Sequence, residues 1–509
     1  MNIKQAKEYI KNSVNLYLKK DEFGEYRVPV VRQRPILLLG APGIGKTAIM
    51  EQIAQELGIA LVSYSMTHHT RQSALGLPFI TKKTYGGKEV NVSEYTMSEI
   101  IASVYDTMEE SGMKEGILFL DEINCVSETL APSMLQFLQY KVFGRHRVPD
   151  GWVIVTAGNP PEYNKSVREF DVVTYDRLKV LAVEPDYRIW KEYALERRIH
   201  NAIVNYLDLK KEHFYCMEMT PSGRSYVTAR GWEDLSEILS LYEEEQLPVE
   251  ESLVAQYLHN DRVVKEFTAY YDLYNKYKKD YRIGEILEGK ASPQAIARAK
   301  AAAFDERLSL LGMLLDRVLS DMKDVMDEGA FLSDLKNPLK ALKMAAATEK
   351  GARVERIIGL LEKQSEGRKK LLESLQSANS LSNDEKKRHR KVVQFLEDGR
   401  KELFVSDVTE GEAAFAFLKE RYDRQVAKLR QRTEAVREEL HNLFSFAEEA
   451  FAEGNEMLIL VTELTVNAAA AQFIATFGSP DYQRHNKEMM LSERKEDIKS
   501  QIAELGAFL

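Results

Sequence analysis

The chain has 509 residues and a net charge of -9, with 44% hydrophobic and 29% charged residues. This balance is typical of a soluble protein with more than one domain, and the acidic charge disfavours a nucleic-acid-binding function. The 2 cysteines exclude a disulfide framework, the chain starts without the apolar core of a signal peptide, and no window has the roughly 18 apolar residues of a membrane span. We therefore expect a cytoplasmic protein.

Proline and tryptophan divide the chain near residue 250. All 3 tryptophans and 11 of the 14 prolines lie before that point. Proline lacks an amide hydrogen and clashes with the preceding turn of a helix. The proline-poor half is therefore predicted to consist of long helices.

The first motif lies in residues 35–50, which read PILLLGAPGIGKTAIM. An apolar run, a glycine-rich turn and a helical pattern predict a strand, a phosphate-binding loop (Walker A) and a helix, and the match to GxxxxGK[ST] is complete. In such a loop the backbone N–H groups bind phosphate, the lysine reaches the β- and γ-phosphates, and the hydroxyl residue ligates Mg²⁺. The predicted nucleotide-binding residues are Gly40, Ala41, Pro42, Gly43, Ile44, Gly45, Lys46, Thr47 and Ala48.

Two further predicted strands end in polar residues. The apolar residues 117–120 precede Asp121 and Glu122, a Walker B pattern, and such a run suits a strand buried on both faces of a parallel sheet. Because these sheets bind ligands at the carboxyl ends of their strands, Asp121 is predicted to bind Mg²⁺ with Thr47, and Glu122 to activate the attacking water. Asn159 follows the next strand, where its amide is expected to position that water.

Between these motifs the sequence predicts a β-hairpin. Residues 78–95 alternate in polarity and turn at two consecutive glycines. The segment 96–99, Thr-Met-Ser-Glu, is predicted to be a capping box that begins the next helix. A second short hairpin is predicted at 141–149.

Together these motifs resemble the AAA+ ATPases, and the hairpin at 78–95 is similar to the insert in helix 2 of their MoxR family. The resemblance covers residues 1 to about 250. It implies an α/β P-loop domain at 1–177, in which helices flank a parallel sheet, followed by an α-helical lid at 178–285.

The resemblance also assigns roles to four polar residues. It makes Asn159 the sensor-1 residue and Arg230 the sensor-2 arginine, on the first turn of a helix that Thr228 is predicted to N-cap. Arg177 is similar in position to the arginine finger that acts on a neighbouring subunit, and Arg168 is the alternative.

The same resemblance implies a Mg²⁺-dependent ATPase that assembles into a homo-oligomeric ring, expected to be a hexamer. MoxR-like proteins act as chaperones or metal-insertion factors beside proteins with von Willebrand factor A domains, so the resemblance implies such a protein as the partner. ATP is favoured over GTP because the guanine signature NKxD does not occur. Two alternatives remain open: a nucleotide-gated scaffold that assembles through a coiled coil, and a DNA-directed motor.

The remaining residues, 286–509, are predicted to be all-α. Apolar residues in 412–452 recur with spacings of three and four over five heptads, the pattern of a coiled-coil seam. Segments 352–376 and 385–398 are candidate antiparallel partners, so we expect a coiled-coil hairpin within about 350–452. A last helix is predicted to hold residues 489–505.

Overall fold

The computed structural model describes residues 1–68, 72, 74, 76–163, 167, 170–220, 223–347, 353–451 and 455–488. The chain forms two compact units. The first comprises Met1–Ile189 and Lys363–Gln394, and the second comprises Trp190–Glu362 and Phe395–Leu509. The three-part division expected from the sequence, at 177/178 and 285/286, stays a prediction.

The first unit contains the strands of a central sheet and of two hairpins. These strands are β1 Ile36–Gly40, β2 Ala60–Ser65, β3 Pro78–Tyr85, β4 Lys88–Tyr95, β5 Gly116–Asp121, β6 Val142–Phe143, β7 His146–Arg147, β8 Trp152–Gly158 and β9 Lys179–Val183. The sheet is parallel, with the order β2-β5-β8-β1-β9. Every residue of β8 is buried, as the continuous apolar run of a central parallel strand predicts.

Helices cover both faces of this sheet. Those preceding the second unit are α1 Ile3–Tyr17, α2 Lys46–Leu57, α3 Glu99–Ser111, α4 Ala131–Tyr140 and α5 Val172–Tyr175, and α6 Tyr187–Arg197 follows them. One hydrophobic core packs α1 and α2 against one face, and a second core packs α3 and α4 against the other. The predicted parallel sheet flanked by helices is confirmed.

The hairpin predicted at 78–95 is present as β3 and β4. Its two-residue turn consists of Gly86 and Gly87, both with positive φ (57° and 81°), which a tight turn of this kind requires. The predicted cap of the next helix was placed wrongly: Ser98 caps α3, whereas the Thr96 hydroxyl accepts a hydrogen bond from the Leu77 amide (2.9 Å). Thr96 therefore closes the base of the hairpin. The second predicted hairpin is formed by β6 and β7.

The second unit is mostly helical. Its further elements are α7 Asn201–Leu209, the two-stranded sheet of β10 Cys216–Thr220 and β11 Gly223–Val227, α8 Ala229–Glu244, α9 Glu251–Val254, α10 Asp261–Tyr281, α11 Ile283–Leu287, α12 Pro293–Ala301, α13 Phe304–Asp334, α14 Lys336–Ala347, α15 Val354–Ser377, α16 Asn383–Val405, α17 Gly411–Phe451, α18 Glu456–Val466 and α19 Ala468–Phe477. The predicted mostly helical C-terminal region is confirmed. The residues predicted to form the last helix, 489–505, lie outside the described part.

The 41-residue helix α17 carries the predicted heptad seam. Val436, Leu440, Leu443 and Ala447 from that seam are buried in a core that α13 supplies from the other side. The sequence named 352–376 and 385–398 as partners, but α13 is the principal partner of α17. A heptad pattern specifies which face of a helix is apolar and leaves the partner open.

Among the described residues, no single helix is long and apolar enough to cross a bilayer. Helices α18 and α19 reach that length and composition only as a pair, with a bend of 88° between them.

Candidate active site

The phosphate loop joins the end of β1 to the start of α2. Gly45 is the N-cap of α2 with a left-handed backbone (φ 88°), and Gly43 shares this conformation (φ 73°). A side chain at Gly40 would place its Cβ 2.7 Å from the Val183 carbonyl oxygen. The glycines are therefore required by the turn and by close packing. The loop directs the first turn of α2, with its N–H groups, at the sheet edge.

Lys46, the first residue of α2, is buried and turned into the loop. Its Nζ donates hydrogen bonds of 2.8 Å to the carbonyl oxygens of Gly40 and Ala41 and to Oδ1 of Asn159. An ammonium group has three donors, and three acceptors meet them here. The geometry brings Asn159 beside the loop lysine, as the sequence predicted for two residues at a phosphate site.

Thr47, on the first turn of α2, contacts Asp121 at the end of β5. The Thr47 hydroxyl donates to Oδ2 of Asp121 over 2.9 Å, and Oδ1 of Asp121 accepts a hydrogen bond of 2.8 Å from the Glu122 amide. A hydroxyl and a carboxylate are the hard oxygen ligands that Mg²⁺ binds together with substrate phosphates. These two side chains fit such an ion. In the described part of the chain, no cluster of three or more His, Cys, Asp or Glu residues forms a metal site from protein groups alone.

Glu122 has a left-handed backbone (φ 56°), and its carboxylate is held by two hydroxyl groups. Its Oε2 accepts hydrogen bonds from Ser65 Oγ (3.1 Å) and Thr67 Oγ1 (2.9 Å). Ser65 ends β2 and pairs in register with Asp121 at the end of β5. Neither hydroxyl residue was predicted from the sequence. The signal that identifies them is the adjacency of β2 and β5, which only the sheet order supplies.

Asn124 was also missed. Its side chain is buried, and its Nδ2 donates to the backbone carbonyl of Asn159 over 2.8 Å. A Cβ added to Gly158 would lie 2.6 Å from Oδ1 of Asn124, so glycine is needed there for the amide to fit. Asn124 thus fixes the backbone of Asn159 from the turn that follows β5.

Cys125 lies in the same turn. Burial raises the pKa of its thiol, and the charges of Glu122 and Asp121 raise that pKa further. The thiol is therefore protonated near neutral pH. Because the thiolate is the reactive form of cysteine, this environment disfavours Cys125 as a nucleophile.

Arg177 lies away from this cluster. Arg177 is exposed and lies two residues before β9, whose first residue Lys179 pairs with Ile36 at the start of β1. The phosphate loop follows the other end of β1, roughly 13 Å away along the strand direction. The structure therefore does not bring Arg177 to the phosphate loop of its own chain, and Arg168 lies outside the described residues.

Arg230 belongs to the second unit. It is exposed on the first turn of α8, and the Thr228 hydroxyl accepts a hydrogen bond from the Gly231 amide (3.2 Å). This bond confirms Thr228 as the predicted N-cap. The position of Arg230 in the helix is thus as expected, and its sensor role stays a prediction.

Comparison with known families identifies one domain. Residues 36–175 match the model described as "ATPase family associated with various cellular activities (AAA)". No curated protein sequence matches the chain significantly. The matched segment includes the phosphate loop, Asp121, Glu122 and Asn159.

Proposed function

We propose that the first unit, which carries the match to the AAA model at residues 36–175, is a P-loop ATPase that binds and hydrolyses ATP. We propose that this activity depends on Mg²⁺ and that the protein is a MoxR-like remodelling ATPase acting on a partner protein. The observation that carries the proposal is the convergence of Lys46, Thr47, Asp121, Glu122 and Asn159 at one edge of the sheet.

Lys46 and the phosphate loop hold the nucleotide. When ATP binds, its β- and γ-phosphate oxygens replace the carbonyl oxygens of Gly40 and Ala41 as partners of the Lys46 ammonium. Thr47 and Asp121 would hold Mg²⁺, which neutralises charge on the phosphates when bound. These groups orient the γ-phosphate and require no covalent chemistry from the protein.

Glu122 is the proposed general base. Oε2 is oriented by Ser65 and Thr67, which leaves Oε1 to accept the proton of a water molecule. The water oxygen forms a bond to the γ-phosphorus while the bond to the β–γ bridging oxygen breaks, giving ADP and phosphate. Asn159, fixed by Asn124, would position the water or the γ-phosphate with its side-chain amide.

Two arginines would complete the site in an assembly. AAA domains typically form oligomeric rings, and we propose that this chain forms a hexamer. Arg177 would then stabilise charge on the γ-phosphate of the neighbouring subunit, since it lies at the far end of its own sheet. Arg230, on the first turn of α8, would report the nucleotide state to the second unit.

The partner class rests on the helix-2 hairpin. The hairpin of β3 and β4 precedes α3, and this position supports the MoxR-like assignment and, through it, a client with a von Willebrand factor A domain. A pull-down with the hydrolysis-deficient Glu122→Gln chain in ATP tests the client. Specific capture of such a protein is expected, and equal capture without nucleotide would contradict a nucleotide-dependent client.

The hydrolysis chemistry is tested by Glu122→Gln itself. The amide keeps the shape of the side chain and removes its basicity, so ATP turnover should fall about 10²- to 10⁴-fold while ATP binding is retained. Glu110→Gln is a matched control, because Glu110 is exposed at the end of α3. Turnover by Glu122→Gln at the wild-type rate would contradict the assignment of Glu122 as general base.

The alternative function is tested separately. Stimulation of wild-type ATP turnover by duplex DNA would favour a DNA-directed motor.

A further inference from the structure

The edge strand β2 is completed by a segment that lies more than 300 residues later in the sequence. The Leu61 amide donates to the Ala378 carbonyl oxygen over 3.0 Å, and the Leu61 carbonyl oxygen accepts from Nδ2 of Asn379 over 3.4 Å. Ser374 Oγ also donates to the carbonyl oxygen of Ser111, the last residue of α3, over 2.8 Å. The residues 378–380, here termed the tip, connect α15 to α16 and bind the side of β2 that faces away from β5.

The tip is built for this position. Ala378 is completely buried and is part of the hydrophobic core on the α3 face of the sheet. Asn379 has a left-handed backbone (φ 52°), a conformation that asparagine tolerates better than most residues. Ser380 is buried as well, and its amide donates to the Leu375 carbonyl oxygen (3.1 Å). A turn that made only a chance surface contact would not bury these residues.

The other end of β2 contacts the proposed general base, Glu122, through a hydrogen bond. Leu61 lies at the start of β2, and Ser65, the last residue of β2, donates to the Glu122 carboxylate together with Thr67. Four residues of strand separate Leu61 from Ser65, or about 13 Å. Any displacement of β2 at the tip is therefore carried along one short strand to the hydroxyl groups that orient Glu122.

We propose that the tip positions Glu122 through β2, so that its docking is required for full ATP turnover. This inference rests on the proposed role of Glu122. A strand bonded to the sheet on one side frays more readily than one bonded on both sides, and the tip supplies the second side at Leu61. With the tip undocked, Ser65 and Thr67 hold Glu122 in its active orientation for a smaller fraction of the time.

The expected kinetic signature separates positioning from general damage. The nucleotide contacts lie on β1, α2 and β5, so loss of the tip should lower kcat and leave KM for ATP unchanged. Asn379→Asp replaces the Nδ2 donor with an oxygen that repels the Leu61 carbonyl, and kcat should fall about threefold to tenfold. Asn383→Asp is the matched control, since Asn383 is exposed at the start of α16. It should leave kcat unchanged.

A second variant and a direct measurement of docking accompany this test. Ala378→Arg cannot fit the buried site, so it should expel the tip and lower kcat by more than about tenfold. Hydrogen exchange at the Leu61 amide, which Ala378 protects in the wild type, should become faster in both tip variants.

Each outcome decides the proposal. Faster exchange at Leu61 with wild-type kcat would overturn it, and so would slow exchange at Leu61 in Ala378→Arg. Equal loss of kcat in Asn379→Asp and Asn383→Asp would overturn it too. If Glu122→Gln retains ATP turnover, the proposed role of Glu122 is contradicted. If Glu122→Gln loses turnover but the tip variants keep the wild-type kcat, only the proposed role of the tip is contradicted.

Discussion

The two edge strands of the five-stranded sheet, β2 and β9, are covered by different parts of the chain. On the β2 side, the tip supplies hydrogen bonds to Leu61 and buries Ala378 completely. On the β9 side, the Met1 amino group donates to the Ala182 carbonyl oxygen (3.0 Å), which covers only the end of the strand. Val180, the second residue of β9, stays 40% exposed.

This difference separates two uses of a sheet edge. The β2 edge, which the tip covers at Leu61, is adjacent to β5, and Glu122 follows β5 directly. Under the proposal above, this edge would serve catalysis within the chain. The less covered β9 edge is preceded by the exposed residues Val172 and Arg177. Unpaired strand edges and exposed apolar side chains are the features through which a second copy can bind. The predictions below test whether the two edges have these separate roles.

The largest effect is expected at the β9 side. Arg177→Ala should lower ATP turnover about 10³-fold, because an arginine that meets the γ-phosphate stabilises the charge of the transition state. ATP binding should be retained, since the phosphate loop is intact. Mixing Arg177→Ala chains with Lys46→Ala chains should restore part of the turnover, as measured by phosphate release, if the arginine acts between subunits.

The mixing experiment has an internal control. The double variant Lys46→Ala, Arg177→Ala supplies neither group and should restore nothing to Arg177→Ala. Equal recovery with the single and the double variant would contradict action between subunits. If Arg177→Ala alone turned over ATP at the wild-type rate, Arg177 would have no role in hydrolysis.

A smaller effect is expected when the same substitution is made at both edges. Ala378→Lys places an ammonium in a fully buried site and should lower the free energy of unfolding by about 3 kcal/mol or more. Val180→Lys lies on an exposed strand and should change it by less than about 0.5 kcal/mol. Urea denaturation of each variant measures its free energy of unfolding. Equal losses in the two variants would show that the two edges are equally buried.

The smallest effect is expected at Lys141, which lies between the two edges beside the first residue of the central strand β8. Lys141 is buried, and its Nζ donates to Gln33 Oε1 (2.8 Å) and to the Trp152 carbonyl oxygen (2.7 Å). Burial lowers the pKa of Lys141 to about 8. Between pH 8 and 10 the unfolded lysine keeps a proton that the folded one has lost, so stability should rise with pH.

The rise should be at most about 1.4 kcal/mol per pH unit. It is measured as the free energy of unfolding of the wild type relative to Lys141→Met over that range. A difference that stays flat or falls with pH would contradict a lowered pKa in the folded state.

The sequence predicted those features that a short stretch of residues determines. The phosphate loop at 40–48 and the hairpin at 78–95 each carry their glycines at fixed positions, so local geometry follows from composition. Asp121, Glu122 and Asn159 were predicted because parallel strands end at one edge. These residues make up most of the candidate active site.

The remaining features depend on which elements become neighbours. Ser65 and Thr67 are ordinary hydroxyl residues until β2 is placed beside β5. The principal partner of α17, helix α13, was not predicted, because several apolar helices fit one seam. The tip gave no signal, since its contact with Leu61 uses backbone groups and a side-chain amide that many loops possess.

The order of synthesis follows from the position of the tip in the chain. Leu61 and Asn379 are 318 residues apart, so at about 5–20 residues per second β2 leaves the ribosome roughly 16–60 s before the segment that covers it. During that interval the nascent sheet has an open edge at β2, a site for pairing with another chain. A chain that ended before residue 378 would keep the nucleotide motifs and leave this edge exposed.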